Sequence, residues 1–310
     1  MRVLVLGGTG FIGSHIVDAL VNNGHQVKVI DRTLKHIQTN NPLLVQYIQA
    51  DYGDSFVLSE ALIGIDIVIH LVTTTVPGSS NLDPVADIQS NLINSVKLFQ
   101  AMRHAEVKRI IYFSSGGTVY GNPNQVPIPE NHSTHPICSY GITKLAIENY
   151  LYMFQELYGF KPTILRPSNP YGPRQGHYGA QGVIGTFMKQ IISHQPINIW
   201  GDGSVIRDYI YISDLVDACL AAVNSDVQGT FNIGSGMGYS LLDIIKEIEK
   251  CTQETAKVKF DPARSFDVKE LVLDSNLAKD KFAWSPKYTL PQGVCLHYDW
   301  YKSNQKNLEI

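Results

Sequence analysis

Arg2-Val3-Leu4-Val5-Leu6 runs without interruption into Gly7-Gly8-Thr9-Gly10-Phe11-Ile12-Gly13, and a helical pattern over Ile12–Asn22 follows at once. A short strand that is apolar at successive positions has no solvent face, so it must lie inside a sheet covered on both sides. The same texture recurs along the first half of the chain. Runs over Gln26–Ile30, Leu44–Ile48, Asp66–His70, Arg109–Phe113 and Thr163–Leu165 predict further strands, with helical patterns over Val85–His104 and Tyr140–Tyr158 among them. Strands separated by helices pair in parallel through crossovers, which predicts an α/β fold built on a doubly wound parallel sheet. No internal repeat or low-complexity tract breaks this order.

The glycine turn gives such a sheet a use. Gly7, Gly10 and Gly13 stand three apart between strand and helix. Without side chains the backbone can approach a pyrophosphate, and the next helix offers free N–H groups and the positive end of its dipole. The spacing departs from the GxGxxG of many dehydrogenases, and tight turns need glycine for their own sake. Context favours the ligand, because the second strand ends at Asp31, near the distance expected for an acid that hydrogen-bonds the adenosine ribose. Its carboxylate repels a 2′-phosphate and so points to NAD rather than NADP, although Arg32 beside it can receive such a phosphate. Asp51, after the third strand, can accept from the adenine amino group or serve as an ordinary N-cap or loop acid. Leu71-Val72-Thr73-Thr74-Thr75 follows the fourth strand, at the carboxyl edge where ligands of open α/β sheets gather.

A chain of 310 residues with 44% apolar and 17% charged residues suits one large domain, or a larger and a smaller lobe folded together. Past Ser168 the texture changes: Gly and Pro thicken in Asn169-Pro170-Tyr171-Gly172-Pro173-Arg174-Gln175-Gly176. Helical patterns return over Val183–Ser193, Asp214–Asn224 and Leu241–Lys250, and the last part of the chain reads as a small α/β cap. The expected division is a dinucleotide-binding domain over residues 1–168 and a smaller, mainly substrate-binding α/β lobe over 169–310, with some segments returning to the first domain. A net charge of −3 with no basic stripe excludes nucleic acid and membrane surfaces as main partners. Cys138, Cys219, Cys251 and Cys295 lack the paired spacing of a zinc or redox motif; free thiols in a reducing cytoplasm and no metal are expected. The chain begins on a strand, so no signal sequence is expected, and no apolar stretch approaches the ~20 residues of a membrane span.

Tyr140 and Lys144 stand four residues apart in Ser139-Tyr140-Gly141-Ile142-Thr143-Lys144, after the fifth strand. A phenol with a pKa near ~10 is a poor base at neutral pH, and an ammonium one helical turn away favours the phenolate. The i, i+4 spacing puts both on one helix face. A surface Tyr–Lys pair looks the same in isolation; the glycine turn upstream separates the two readings.

With these motifs in this order the sequence resembles the extended short-chain dehydrogenase/reductase family, in its nucleotide-sugar epimerase/dehydratase branch. The resemblance covers most of the chain, including Gly7–Gly13, Asn91-Leu92-Ile93-Asn94-Ser95, Ser114–Gly121, Tyr140–Lys144, Arg166–Gly172, Trp200-Gly201-Asp202-Gly203, Arg207-Asp208-Tyr209 and Arg264–Asp267. It implies a Rossmann-type sheet holding NAD through Gly7, Gly10, Phe11, Ile12, Gly13, Asp31, Arg32, Asp51, Tyr52, Leu71, Val72, Thr73, Asn91, Ser114, Tyr140, Lys144, Pro167 and Ser168. It implies a nucleotide-sugar site in which Asn169, Arg207 and Arg264 meet the diphosphate. Val183, Ile199 and Trp200 would hold the base, Thr75, Thr118 and Asp267 would add contacts, and Leu271 would take the place of a size gate beside the hexose. It also implies a homodimer joined by a helical bundle of Val85–His104 and Tyr140–Tyr158.

The segment Ser114-Ser115-Gly116-Gly117-Thr118-Val119-Tyr120-Gly121 departs from the branch and discriminates among its chemistries. The family's hydroxyl residue beside the Tyr is replaced by Gly116, which leaves Thr118 or Ser115 as the substitute, or Tyr140 working without one. Dehydratases that resemble this segment carry an acid pair where Gly117 and Thr118 stand. Gly–Thr supplies no proton acceptor and donor for water loss. What the resemblance then implies is reversible oxidation at one carbon, as in a 4-epimerase of UDP-hexoses. A keto-sugar reductase on the same fold and a non-catalytic nucleotide-binding protein, the latter suggested only by Gly116, are the alternatives.

Overall fold

A computed structural model describes residues 1–35, 37, 41–175, 182–262 and 268–308. Its main sheet is parallel throughout and contains β1 (Arg2–Leu6), β2 (Gln26–Asp31), β3 (Val45–Gln49), β4 (Ile67–His70), β5 (Arg109–Phe113) and β6 (Lys161–Pro167). Alternation along β1 explains the two-sided covering. Val3 and Val5 join the core formed with α1 (Phe11–Asn22), whereas Leu4 and Leu6 join the opposite core. That second core receives α2 (Ser55–Leu62), α4 (Asn94–His104) and α5 (Ser139–Tyr158). The segment predicted as one helix over Val85–His104 is α3 (Pro84–Asp87), a π-helical stretch over Ile88–Ile93, and α4. In that stretch Asn91 turns back on Asp87, donating to its carbonyl at 3.2 Å and its carboxylate at 2.8 Å.

Beyond Pro167 the chain builds β7 (Asn169–Tyr171), α6 (Val183–Ile192), β8 (Pro196–Trp200), β9 (Ile206–Tyr211) and α7 (Ile212–Val223). It then returns to the main sheet as β10 (Gly229–Ile233), which pairs in parallel with β6 and completes the order β10-β6-β5-β4-β1-β2-β3. Helix α7 packs against α1, so both faces of the sheet are closed. The remaining elements are β11 (Gly238–Ser240), α8 (Leu241–Thr252), β12 (Lys257–Asp261), β13 (Glu270–Leu271), α9 (Asn276–Phe282) and α10 (Leu290–Leu308). Strands β7, β11 and β13 gather around β9, and β12 pairs with β8. No helix among the described residues is long and apolar enough to cross a membrane.

Two cysteines overturn the expectation of free thiols. Cys219 is free and buried and Cys138 is free and half-buried, but Cys251 of α8 and Cys295 of α10 form a disulfide across 44 residues of sequence. Packing of α10 on α8 brings their Cα atoms to 5.5 Å, within the range a disulfide spans. Sequence spacing carries no trace of this proximity.

Candidate active site

A cleft of about 880 Å³ opens at the carboxyl ends of β1, β2, β4, β5 and β6. It lies where the sheet order reverses between β1 and β4, the place at which open α/β sheets bind ligands. Gly7 leaves β1 at φ +82°, a left-handed conformation that glycine adopts without strain. At Gly13 an added Cβ would stand 2.1 Å from the Gly7 carbonyl oxygen, so the turn and the first turn of α1 touch backbone to backbone. The Asp31 carboxylate at the end of β2 accepts from the Thr9 backbone N–H at 3.1 Å and thereby ties the turn to the neighbouring strand. These features fit a dinucleotide: a bare backbone concavity at a helix N-terminus, flanked by a carboxylate. Gly7, Gly10, Phe11, Ile12, Gly13, Asp31, Arg32, Asp51, Tyr52, Leu71, Val72, Thr73, Ser114, Pro167 and Ser168 all line the cleft. Ser168 Oγ is buried there with no partner in the protein.

Asn91 does not line it. Its amide is spent within the protein, accepting from Thr74 N–H at 2.9 Å and donating to Asp87, so it shapes the loop after β4 from behind. Thr75 is likewise turned away, its hydroxyl donating to Asp87.

Tyr140 and Lys144 face the cleft from the first turns of α5. Cys138 provides no side-chain cap, and the helix borrows one from far upstream. Ser139 N–H donates to Asn81 Oδ1 at 2.8 Å and Tyr140 N–H to Ser80 Oγ at 3.1 Å, satisfying two free donors of the first turn. Lys144 Nζ donates to the Phe113 carbonyl at 2.8 Å and stands 5.7 Å from the centre of the Tyr140 ring. The spacing alone predicts a phenol lowered toward neutrality; in the folded chain burial moves it the other way. Burial lifts the Tyr140 phenol above its ordinary range, Cys138 and Asp87 add to the effect, and a hydrogen bond with Ser115 opposes it. Burial also brings the Lys144 ammonium down to about 8, against the pull of Glu148 and Asp87.

The Gly116 question is geometric. A Cβ on Gly116 would meet Leu273 Cδ1 at 2.4 Å and the Arg166 carbonyl oxygen at 3.0 Å, so this position abuts a wall. Ser115 and Thr118 line the cleft, and Thr118 Oγ1 is buried without a partner. Behind them Arg166 holds Glu148 through two nitrogens, Nε to Oε1 at 3.0 Å and Nη2 to Oε2 at 2.5 Å, and Ser114 donates to the same carboxylate.

At the other end Asn169, Val183 and Arg207 line the cleft. Asn169 Nδ2 donates to the Asp208 carbonyl at 2.8 Å, and Arg207 Nη1 to the Ile206 carbonyl at 2.8 Å. Ile199 is buried in the core and Trp200 is 46% exposed at the end of β8; neither lines the cleft, because β8 pairs with β12 away from it. Leu271 is also outside it, buried with Val119, Tyr120, Ile128 and Leu273. Arg264 and Asp267 lie outside the described residues. Tyr171, Gln175, Tyr209 and Leu241 line the cleft without having been singled out by sequence. Tyr171 and Tyr209 sit in motifs that carried the resemblance, and that position was their available signal. Among the described residues no group of three or more His, Cys, Asp or Glu could hold a metal.

Comparison with known proteins agrees with this geometry. Residues 3–234 match the model of the NAD dependent epimerase/dehydratase family. A putative UDP-glucose 4-epimerase of Methanocaldococcus jannaschii is 33% identical over 98% of this chain and 99% of its own length. The UDP-glucose 4-epimerase of Thermotoga maritima, solved with UDP-glucose, superposes with a TM-score of 0.93 at 35% identity, covering 98% of this chain and 100% of that one. A UDP-N-acetylglucosamine 4-epimerase from Methanobrevibacter ruminantium, in complex with UDP-N-acetylmuramic acid, superposes with a TM-score of 0.91 at 32% identity, covering 98% of each chain.

Proposed function

The chain belongs to the NAD dependent epimerase/dehydratase family, and we propose that within it the protein is a 4-epimerase of UDP-hexoses. The observation that carries this reading is the Tyr140–Lys144 pair facing the cleft of the glycine cradle, beside Gly117 and Thr118 rather than a pair of acids. NAD, when bound, supplies a hydride acceptor that gives the same hydride back, so the net reaction is an isomerisation that needs no outside oxidant. Gly7, Gly10, Gly13 and the N-terminus of α1 would hold its pyrophosphate, and Asp31 its adenosine ribose.

As the phenolate, which the Lys144 ammonium and the positive charge of bound NAD would favour against burial, Tyr140 takes the proton of the sugar's C4 hydroxyl and returns it after the sugar has turned in the cleft. Lys144 keeps a positive charge one helical turn from that phenol. Thr118 offers its unpartnered hydroxyl to the same sugar oxygen, and Ser115 orients the phenol through the hydrogen bond between them. Arg207 and Asn169 meet the diphosphate, and Val183 lies against the uracil. The substituent at C2 is not selected by Leu271, whose side chain packs in the wall; glucose/galactose and their N-acetyl forms are both substrates on this reading. Relatives of both kinds support that breadth.

The purified enzyme is expected to interconvert UDP-glucose and UDP-galactose, or the N-acetyl pair, by chromatography, and Tyr140→Phe to lower kcat by about 10²–10⁴-fold. Failure of the wild type on all four sugars removes the proposal. A homodimer belongs to the same reading. Val85, Ile88 and Ile93 on one helical stretch and Ile142, Met153 and Leu157 on α5 are exposed apolar residues, a face suited to a bundle with a second copy. A monomer at micromolar concentration in sedimentation would remove the homodimer. A cytoplasmic location is also part of it. The Cys251–Cys295 disulfide argues the other way, and alkylating all thiols in intact cells before purification decides between them.

A further inference from the structure

Asp87, at the end of α3, is fully buried, yet none of its hydrogen-bond partners is a cation. Oδ1 accepts from Thr75 Oγ1 and from Asn91 Nδ2 at 2.8 Å. Oδ2 accepts from Ser139 Oγ at 2.7 Å and from Thr143 Oγ1 at 2.9 Å. Ser139 and Thr143 are four apart on α5, and each immediately precedes a member of the Tyr140–Lys144 pair. One carboxylate therefore grips the helix at two points one turn apart, which fixes its rotation and directs the next residues into the cleft. Glu148 contrasts with it. That carboxylate lies on the same helix and is neutralised by the paired Arg166 guanidinium. The donors around Asp87 are neutral hydroxyls and an amide, so its charge persists.

We propose that Asp87 is a positioning residue for the proposed proton-transfer pair, which orients Tyr140 and Lys144 through Ser139 and Thr143 and holds an unneutralised negative charge beside them. The inference rests on the epimerase reading for the role of the pair, but its geometry stands without it. Burial works against ionisation of Asp87, and the four donors prevail, holding it below the usual carboxylate range. The groups facing the pair are Glu148 and Asp87 around Lys144, Cys138 and Asp87 around Tyr140, Tyr112 on β5, and His70 on β4, which feels the Lys144 charge. Glu148 acts on Lys144 first and Asp87 second; Asp87 bears on both members.

The sign follows. A fixed negative charge makes the ammonium easier to keep and the phenolate harder to form, so removing it lowers both midpoints. Asp87→Asn is expected to move both limbs of the pH profile of kcat/KM toward lower pH, by roughly one unit. Asp87→Glu, which keeps the charge, should leave the limbs in place while kcat falls. Independently of any substrate, the Lys144 ¹³Cε resonance, assigned by its loss in Lys144→Met, should titrate below the wild-type value of about 8 in Asp87→Asn. If Asp87→Asn does not fold, Asp87→Ser carries the same two measurements. Unshifted limbs together with an unshifted Lys144 titration in the neutral variant overturn the proposal, and reduce Asp87 to a structural clamp. A wild type inactive on UDP-hexoses defeats the epimerase reading instead, and the lysine titration still decides this one.

Discussion

His70 ends β4 completely buried, with its ring centre 5.5 Å from that of Tyr52 and 5.4 Å from that of Tyr112. Ser95 Oγ donates its single proton to the Asn91 carbonyl at 2.6 Å, so His70 Nε2, 2.9 Å from the same oxygen, must be the donor between them. The neutral ring thus carries its proton on Nε2, and Nδ1 is buried without a partner. Protonation would add a charge and a second N–H where neither is met. Burial, and after it the Lys144 ammonium, holds the imidazole down to about 3 from its ordinary 6.5. The unfolded chain takes up this proton near 6.5 and the folded chain only near 3, so the stabilisation is complete above the unfolded value and lost as pH falls through that window. Each pH unit inside it removes about 1.4 kcal/mol, or about 2 kcal/mol by pH 5. His70→Phe keeps an aromatic ring between the two tyrosines and removes the titration. Urea unfolding at about pH 7.5 and about pH 5 should show the wild type losing about 2 kcal/mol more than the variant over that interval. Equal losses in the two proteins refute the reasoning.

The cradle is tested by Gly13→Ala. With backbone only 2.1 Å from the new Cβ, the turn must open, and the folded variant should purify without dinucleotide by chromatography of the denatured extract; undiminished NAD content contradicts the cradle. Glu148→Gln leaves Arg166, 5% exposed, as a buried cation without its counter-ion, at a cost of about 3–5 kcal/mol, read as a lowered Tm in calorimetry. Replacing both partners, as Glu148→Gln with Arg166→Met, should be less damaging than Glu148→Gln alone; an unchanged Tm in the single variant refutes the assignment.

How much of this was legible beforehand depends on the range of the interaction concerned. The strands of the first half were readable because a parallel strand is buried on both faces and writes continuous apolar runs, as Val3–Leu6 and Arg109–Phe113 do. The later strands were not. β8 alternates between buried and exposed positions, and β13 contains only Glu270 and Leu271, so neither writes such a run. The glycine turn, Asp31 and the Tyr140–Lys144 pair were legible for the same local reason, since strand–turn–helix geometry and the helical repeat fix their relative placement over a few residues.

What folding alone decided is how distant segments meet. Ser80 and Asn81 cap α5 across 60 and 58 positions, Asp87 grips Ser139 and Thr143, Glu148 finds Arg166, and Cys251 reaches Cys295. The same packing turned Leu271, Ile199 and Trp200 away from the cleft and set Leu273 against Gly116. By itself the sequence determined a parallel-sheet enzyme with a dinucleotide turn and a phenol–ammonium pair, because periodicity and spacing encode contacts within one strand or helical turn. The protonation of that pair, the hydroxyls beside it and the shape of the sugar end were decided by tertiary structure, because burial and buried charge arise only when elements far apart in the chain close on one another.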